Sequence, residues 1–389
     1  MGIRGKKCMF LVQGEGRGHM TQSIAMKQIL ERAGIEVCEV IISKCKNRNV
    51  PDFYYEKMKG TPVTPLESIN MVVANNNRKI RPLATFFGNM ADMPRFYRSV
   101  RIIEQKVKEQ KPDFIVNFFE PLSGFYYALC RPKVPLINVA HHFMYHHPEF
   151  IMPKGKYAAR FGIRFYAWIA SIGSAKRLAL SFYPFPDNSR KRIFVVPPLL
   201  REEAINYPTQ KGNYLLVYLL NSGYLDDIAA WNKENPDTEL HCFMGRKGIT
   251  EVEEYRKNLF VHPIDDKKFL EMMAGAKGLV TTAGFESVCE AMYMNKPVLM
   301  VPVEDHYEQY CNSQDAVWAG AGVYSKKFAI HKLLTHIANV KQDNENFKNW
   351  VSQSPDLMLR QVYSVIYAGD NVRQMFPLPA WGKKVEAGV

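Results

Sequence analysis

The chain has 389 residues, 47% of them hydrophobic and 23% charged, with a formal net charge of +13. That length exceeds one ordinary hydrophobic core and predicts two domains. The balance of apolar and charged residues excludes a disordered or fibrous chain. The positive charge points to an acidic partner (nucleic acid, an anionic membrane surface or a phosphorylated substrate) or simply to a basic soluble surface.

Lys7–Val12 (KCMFLV) reads as a first strand, and the glycine-rich turn QGEGRGH follows at 13–19. Residues 20–32 have helical spacing, with Ile24, Ala25, Ile29 and Leu30 on one face. Gly34 ends that helix, and 36–42 reads as a second strand. Strand, turn, helix, strand is a βαβ unit, so a parallel sheet is predicted. Residues 47–81 are rich in Asn, Pro and Lys and show no regular pattern, and 86–111 read as a pair of helical stretches stopped at Lys111-Pro112. Further strands are predicted at 113–118, which leads into Glu120-Pro121, and at 136–139, which leads into His141, His142, His146 and His147. The stretch 157–183 is aromatic and basic, and 184–192 reads as a connector. Residues 195–198 read as the crossing into a second domain, where the alternation restarts. Strands are predicted there at 214–219, 240–244, 259–262, Gly278–Thr281 and 298–301. Helices are predicted at 267–274, 285–294, 332–340 and 356–367. The expected domains are 1–193 and 194–355, with 356–389 a helix and tail that return to the first. Two α/β halves of similar size predict a ligand cleft between them.

Seven cysteines are scattered through the sequence without a CxxC pair. They read as reduced, buried thiols of a cytosolic protein, and no zinc site is expected. The apolar run at 8–12 is too short for a signal peptide, and Lys6 stands where a myristoylation signal carries Ser or Thr. No run reaches the roughly 18–20 apolar residues of a transmembrane helix.

Residues 281–313 concentrate the chemistry: TTAGFESVCEAMYMNKPVLMVPVEDHYEQYCNS. A strand end, a turn at Ala283-Gly284 and a helix start offer free backbone N–H groups and a partial positive charge to a phosphate. Glu286 and Glu290 lie four apart, on one helix face, where a carboxylate can accept both hydroxyls of a ribose. In the first turn, the glycines fall at 14, 16 and 18, one place out of the dinucleotide pattern, so the turn reads as a phosphate cradle or as a plain tight turn. His19 at its end is a candidate general base, because imidazole titrates near neutral pH. Glu120 could orient His19 as a carboxylate orients a catalytic imidazole, or be an ordinary loop carboxylate. The spacing of His142 and His146 permits a metal only on a helix, and lining a pocket or plain packing suits the cluster better. The segment 154–177 combines an apolar face with Lys and Arg. It reads as a core helix with a solvated edge, as an anionic lipid interface, or, more weakly, as a single-strand nucleic-acid surface.

Together with Pro263-Ile264-Asp265-Asp266, Pro297, Pro302 and Glu308-Gln309-x-x-Asn312, this stretch resembles the carboxyl-terminal half of GT-B glycosyltransferases. The nearest pattern is that of the group containing the bacterial lipid-linked muropeptide N-acetylglucosaminyltransferase, the diacylglycerol galactosyltransferases and plant secondary-metabolite relatives. The likeness is best over 261–323 and weaker over the first 45 residues. Glu15 and Arg17 stand where those relatives carry glycine and small residues, and Pro263 where an aromatic often packs on the base. The resemblance implies two Rossmann-like domains facing a cleft. It also implies inverting transfer without metal or other cofactor, from a nucleotide-diphospho sugar (UDP-linked) to an acceptor hydroxyl, with a lipid or glycolipid as one such acceptor. By position, Ile264 would meet the base, Gly284, Phe285, Glu286 and Ser287 the diphosphate, and Glu290 the ribose. Glu308 and Gln309 would meet the sugar with Asn312 in support, Gly16, Gly18 and Ser222 would lie near the phosphates, and His19 would be the base. The expected location is cytoplasmic, at the inner membrane face where the acceptor is a lipid, with no nucleic-acid partner. A nucleotide-sugar 2-epimerase of the same fold, and a non-enzymatic basic protein with a vestigial nucleotide site, are the alternatives.

Overall fold

A computed structural model describes residues 4–44, 49–68, 92–210, 212–219, 222–245 and 249–367. Residues 47–48 and 69–81 of the stretch expected to be irregular, 86–91 of the helical pair and the tail beyond 367 lie outside these residues, whereas the described part of that stretch is regular after all, with a helix at Asp52–Lys57 and a strand at Val63–Glu67. The strands of the first half are β1 (Lys7–Val12), β2 (Glu36–Lys44), β3 (Val63–Glu67), β4 (Phe114–Phe118), β5 (Leu136–Ala140), β6 (Ser174–Leu180) and β7 (Ile193–Val196). They form one parallel sheet in the order β3-β2-β1-β4-β5-β6-β7. The second half contributes β8 (Leu215–Leu219), β9 (Leu240–Met244), β10 (Glu253–Arg256), β11 (Leu259–His262), β12 (Gly278–Thr281), β13 (Val298–Met300) and β14 (Gly322–Tyr324). Their order is β10-β11-β9-β8-β12-β13-β14, and the edge strand β10 alone runs antiparallel. Central strands such as β1 and β4 are near-continuous apolar runs, broken in β4 by the buried and hydrogen-bonded Asn117, because helices cover both faces of each sheet.

The helices are α1 (Arg17–Arg32), α2 (Asp52–Lys57), α3 (Met93–Gln110), α4 (Leu122–Cys130), α5 (Tyr157–Ala170), α6 (Glu202–Asn206) and α7 (Leu225–Glu234). After them come α8 (Asp266–Gly275), α9 (Phe285–Tyr293), α10 (Tyr307–Trp318), α11 (Ile330–Asn339), α12 (Glu345–Ser352) and α13 (Ser354–Ile366). Local chemistry fixes several ends. Lys111 closes α3 in the left-handed conformation just before Pro112, where a helix cannot continue. The Asp265 side chain caps α8 by accepting from Lys268 N at 2.8 Å.

The boundary expected at residue 193 moves. Ile193–Val196 is the last strand of the first sheet, so residues 195–198 are not the crossing, and the second sheet begins only at Leu215. The last helix, α13, packs on β6 and β7, and Lys176 Nζ donates to Gln361 and Ser364 of that helix. Trp350 of α12 adds Nε1–H to the Ser181 carbonyl at 2.9 Å. One apolar cluster runs through both halves, from Phe10 and Phe118 to Phe243, Phe285 and Met358.

In both sheets the chain reverses its direction of winding. The reversal lies between β1 and β4 in the first and between β8 and β12 in the second. Loops leaving the carboxyl ends of such strands diverge, and the gap between them is where α/β sheets take ligands. Each point is marked by a non-glycine residue in the left-handed region: Phe119 after β4 (φ 62°) and Ala283 after β12 (φ 63°). Such conformations cost of order 1–3 kcal/mol and collect at functional turns.

Helix α5 is drawn hard against α4. A Cβ on Gly124 would stand 1.8 Å from the Ile169 carbonyl oxygen, whereas one on Gly162 of α5 meets nothing within 4 Å. Gly124→Ala is therefore expected to lower the thermal midpoint through about 1–3 kcal/mol of overpacking. Gly162→Ala, which removes backbone entropy from an open helical site, should raise stability by up to about 1 kcal/mol. Thermal unfolding of the two variants beside the parent checks the pair.

Candidate active site in the interdomain cleft

The first-domain wall is built on the loop after β1. Gln13 N–H donates to the Phe118 carbonyl at 3.1 Å, tying the loop to β4, and Gly14 N–H donates to Ser43 Oγ at 2.9 Å. Glycine is required at 14, because a Cβ would lie 1.9 Å from the Ser43 carbonyl oxygen. Gly16 faces open space, and Gly18 has the Glu286 side chain 3.2 Å from where its Cβ would be. The loop delivers His19 at the start of α1. Its Nδ1 lies 3.0 Å from Gln22 Oε1, one turn along the same helix. With Nδ1–H donating to that amide oxygen, Nε2 is left as the free base. Its ring lies 5.5 Å from Phe119 and 5.8 Å from His142. Burial, and secondarily the neighbouring His142, push the His19 imidazole down to about 4, so it is neutral at pH 7.

The expectation that Glu120 orients His19 is corrected. The αL turn at Phe119 carries Glu120 away into the protein, where Oε1 accepts from Leu122 N–H at 3.0 Å and from Ser68. Burial pushes its carboxyl up to about 7. The orienting group on His19 is Gln22.

The second-domain wall is the start of α9. Gly284 is its N-terminal cap residue, without a side-chain cap, and the space a Cβ would take at Gly284 is open except for Ser287 Oγ at 3.6 Å. The first backbone N–H groups of a nine-residue helix therefore face the turn. Ser287 Oγ donates to the Gly284 carbonyl at 3.1 Å. Phe285 does not face that mouth, and stacks on His141 of the first domain with ring centroids 4.3 Å apart. Glu286 likewise turns across the cleft, its Oε1 accepting from Gln22 Nε2 at 2.6 Å. Burial pushes the Glu286 carboxyl up to about 8.

Glu290 lies one turn further on and is buried. Both contacts of Arg201, Nη2 at 2.7 Å and Nε at 3.2 Å, fall on its Oε1, and the other arm of the guanidinium binds Asp266. Burial raises the Glu290 carboxyl and Arg201 opposes it. Ile264 is half-buried beside Gly245. Ser222 lies in a short 3-10 turn after β8.

Glu308, at the start of α10, meets His142 of the first domain, Oε2 to Nε2 at 3.2 Å. Burial alone would raise this carboxyl, but His142, with His306 and His19 beyond it, holds it below the usual range. The His142 ring also stacks on Phe119 at 3.9 Å. Gln309 Oε1 accepts from Val303 N–H at 2.9 Å, which shapes the loop before α10. Asn312 is spent on structure. Its Oδ1 accepts from Tyr145 at 3.1 Å, and its Nδ2 donates to the Ala283 carbonyl at 3.3 Å.

The four histidines expected as a cluster separate. His141 Nδ1 reaches the Leu180 carbonyl, His142 reaches Glu308, His146 the Arg164 carbonyl and His147 the Pro186 carbonyl. Among the described residues no group of three or more His, Cys, Asp or Glu is placed to hold a metal ion. Two open surface grooves, one beside Asp226 and Tyr255 and one beside Lys108 and Cys130, contain none of the cleft residues. Residues not foreseen are Gln22, His142 as a cross-cleft partner, Tyr145 and Arg201. Gln22 alone had a local signal, since three residues along a helix places it on the His19 face.

The Glu286 carboxyl keeps its proton in the folded chain at a pH where the unfolded chain has lost it. Folding therefore takes up a proton between the ordinary carboxylate range and about pH 8, and this group's stabilisation is lost as pH rises through that window. Glu286→Gln, which keeps the hydrogen-bonding shape without the titration, should gain thermal stability relative to the parent as pH rises from about 5 to about 8. Melting curves across that range test it.

The model of glycosyl transferase family 1 matches residues 6–340. A glycosyltransferase of Methanosarcina acetivorans, itself described as uncharacterized, is 22% identical over 373 residues, covering 88% of this chain and 89% of the relative. Among solved structures, the calicheamicin glycosyltransferase CalG4 superposes with a TM-score of 0.59 at 14% identity, covering 94% of this chain and 100% of that one. MurG of Acinetobacter baumannii gives 0.53 at 15% identity, covering 92% and 99%. The glycosyltransferase of kitacinnamycin gives 0.56 at 16%, covering 95% and 99%. These likenesses show the GT-B fold, and the match over residues 6–340 shows that the chain belongs to glycosyl transferase family 1.

Proposed function

We propose that this glycosyltransferase moves a sugar from a UDP-linked donor to an acceptor hydroxyl, with inversion and without a metal ion, and that the acceptor is a lipid or glycolipid at a membrane surface. The observation that carries the reading is a single hydrogen-bonded line across the cleft. His19 and the start of α9 are joined through Gln22, with bonds of 3.0 Å and 2.6 Å. A base and an anion-binding helix end thus face the same gap.

His19 Nε2 takes the proton of the acceptor hydroxyl. The oxygen attacks the anomeric carbon from the face opposite the diphosphate. The bond from that carbon to the diphosphate oxygen breaks, and the diphosphate leaves with the electron pair. Its added negative charge develops at the N-terminus of α9, where backbone N–H groups stabilise it without reorganising. Neutral Glu286 beside that position does not repel the diphosphate. Arg201 fixes Glu290 Oε1 and leaves Oε2 to accept from the ribose hydroxyls. Glu308, held ionised by His142, accepts from a sugar hydroxyl, with the Gln309 amide N–H groups beside it. Ile264 supports the base, Gly16 leaves room for the phosphates near Ser222, Gly18 packs against the Glu286 side chain beside them, and Asn312 holds the wall rather than the sugar.

His19→Ala should lower kcat by roughly 10²–10⁴, the range for a general base, with donor binding intact. In the parent enzyme kcat/KM should fall as pH drops through about 4, the pH at which His19 gains its proton, and His19→Ala should lack that limb. Gln22→Ala should lower kcat while leaving donor KM and the acid limb in place, as fits a positioning residue. Steady-state kinetics across pH decide these points, and unchanged turnover in His19→Ala removes it from the mechanism.

UDP-sugars should raise the melting temperature more than GDP- or dTDP-sugars. Glu290→Gln should weaken that donor binding about 10- to 100-fold, the value of a lost hydrogen bond to a charged group. A thermal-shift titration reads both, and no shift with any nucleotide sinks the donor reading. A new epimer formed from UDP-sugar without acceptor would instead make the enzyme an epimerase.

A further inference from the structure

Helix α5 turns an aromatic stripe to solvent. Tyr157, Phe161, Phe165 and Trp168 are 75%, 70%, 48% and 50% exposed. Their spacing of four, four and three residues lays them along one face over roughly 16 Å of helix. They stack on one another, Phe161 on Phe165 with centroids 5.9 Å apart and Phe165 on Trp168 at 5.7 Å. Ile151, just ahead of the helix, is 66% exposed. An ordinary soluble surface scatters such side chains singly, and a contiguous row of them marks an interaction surface.

The surrounding charge selects the partner. Residues 150–170 contain four Lys and Arg (Lys154, Lys156, Arg160 and Arg164) and no Asp or Glu, and Glu149 stands just ahead of them. Arg160 and Arg164 fall on one flank of the stripe, and Lys154 and Lys156 precede it. Lys156 also pairs with Asp305 of the second domain at 3.2 Å. An apolar stripe flanked chiefly by cations matches an anionic bilayer surface, whose headgroups meet the cations while the rings enter the acyl boundary. We propose that α5 lies flat on an anionic membrane, with Tyr157, Phe161, Phe165 and Trp168 inserted and Lys154, Arg160 and Arg164 on the headgroups.

The opposite face of the same helix lines the cleft. Tyr166 OH accepts from Gln13 Nε2 at 3.0 Å, and its ring lies 5.2 Å from Phe119, the neighbour of His19 and His142. Tyr307 at the start of α10 donates to the Pro153 carbonyl at 3.0 Å. A bilayer under the outer face would bring a lipid-borne hydroxyl to the side of the cleft that holds His19, a consequence that rests on the transferase reading, although the docking surface does not.

The test uses the full-length protein and sedimentation with vesicles of phosphatidylcholine alone or mixed with phosphatidylglycerol. The parent should bind the anionic vesicles and lose binding in high salt. Phe161→Glu with Trp168→Glu, both at exposed positions, should bind at least about tenfold more weakly. Arg160→Glu with Arg164→Glu should cost more than tenfold, at about fivefold per charge removed and more for reversal. All should keep the parent's melting temperature and its shift with UDP-sugar. Vesicle binding that is absent in the parent, or equal in parent and Phe161→Glu/Trp168→Glu, overturns the proposal while the nucleotide shift stands. A parent dimer that the same double variant dissociates overturns it too, by making a second copy the occupant. Loss of the nucleotide shift in the parent would instead condemn the donor reading and leave the docking result intact.

Discussion

The Gln22 amide is the hinge pin of the site. It has one acceptor end and one donor end, and each is used once: the oxygen on His19 and the nitrogen on Glu286. A carboxylate in place of Gln22 would have no N–H to give Glu286 Oε1, and an ammonium would oppose the His19 N–H. Only an amide satisfies both neighbours in one orientation. The arrangement also explains why two carboxyl groups on one helix face behave differently. Glu290 has a guanidinium against it, whereas Glu286 has a neutral amide and is pushed up to about 8. The helix start therefore presents a neutral acid rather than a second anion.

Much of the fold was readable because parallel strands covered on both faces must be apolar throughout. Runs such as KCMFLV and FIVNF announce themselves without any alternation. The same property hid the domain boundary. IFVV at 193–196 is as apolar as any central strand, and nothing local says which sheet it joins. Membership is decided by pairing with Arg177–Leu180, a long-range fact. The site divides in the same way. Glycine turns, helix starts and the positions of His19, Gly284 and Glu290 follow from local chemistry. Partner choice does not: His142 on Glu308 and Tyr145 on Asn312 bridge more than a hundred residues of sequence, and the turn that diverts Glu120 depends on one positive φ at Phe119.

Several of these bridges cross the cleft: Gln22 to Glu286, His142 to Glu308, Tyr145 to Asn312 and Tyr183 to Asp315. Two are aromatic, with Phe285 against His141 and against Phe182. The structure is thus of the closed arrangement, in which His19 and α9 already face each other. Hydrogen bonds and ring contacts of this kind are worth about 1 kcal/mol each, and roughly 1.5–3 kcal/mol where one partner is ionised as at Glu308, so the closure is held by many small terms rather than by one lock. Opening to admit substrates loses each term separately.

Arg201 ties the second domain to the chain that links the domains. It precedes α6, after the last strand of the first sheet, and its guanidinium is buried between Glu290 and Asp266 of the second domain. A buried cation with two carboxylates is strongly held, since each carboxylate raises the affinity of the guanidinium for its proton. The same contact holds Glu290 through Oε1, so the placing of its carboxylate is set in folding. Preorganised groups of this kind bind more tightly than mobile ones, because the ordering is done in folding rather than in binding. The linker is therefore part of the wall that carries Glu290. A chain that leaves the sheet bearing His19 positions Glu290 on the helix that follows a strand of the opposite sheet.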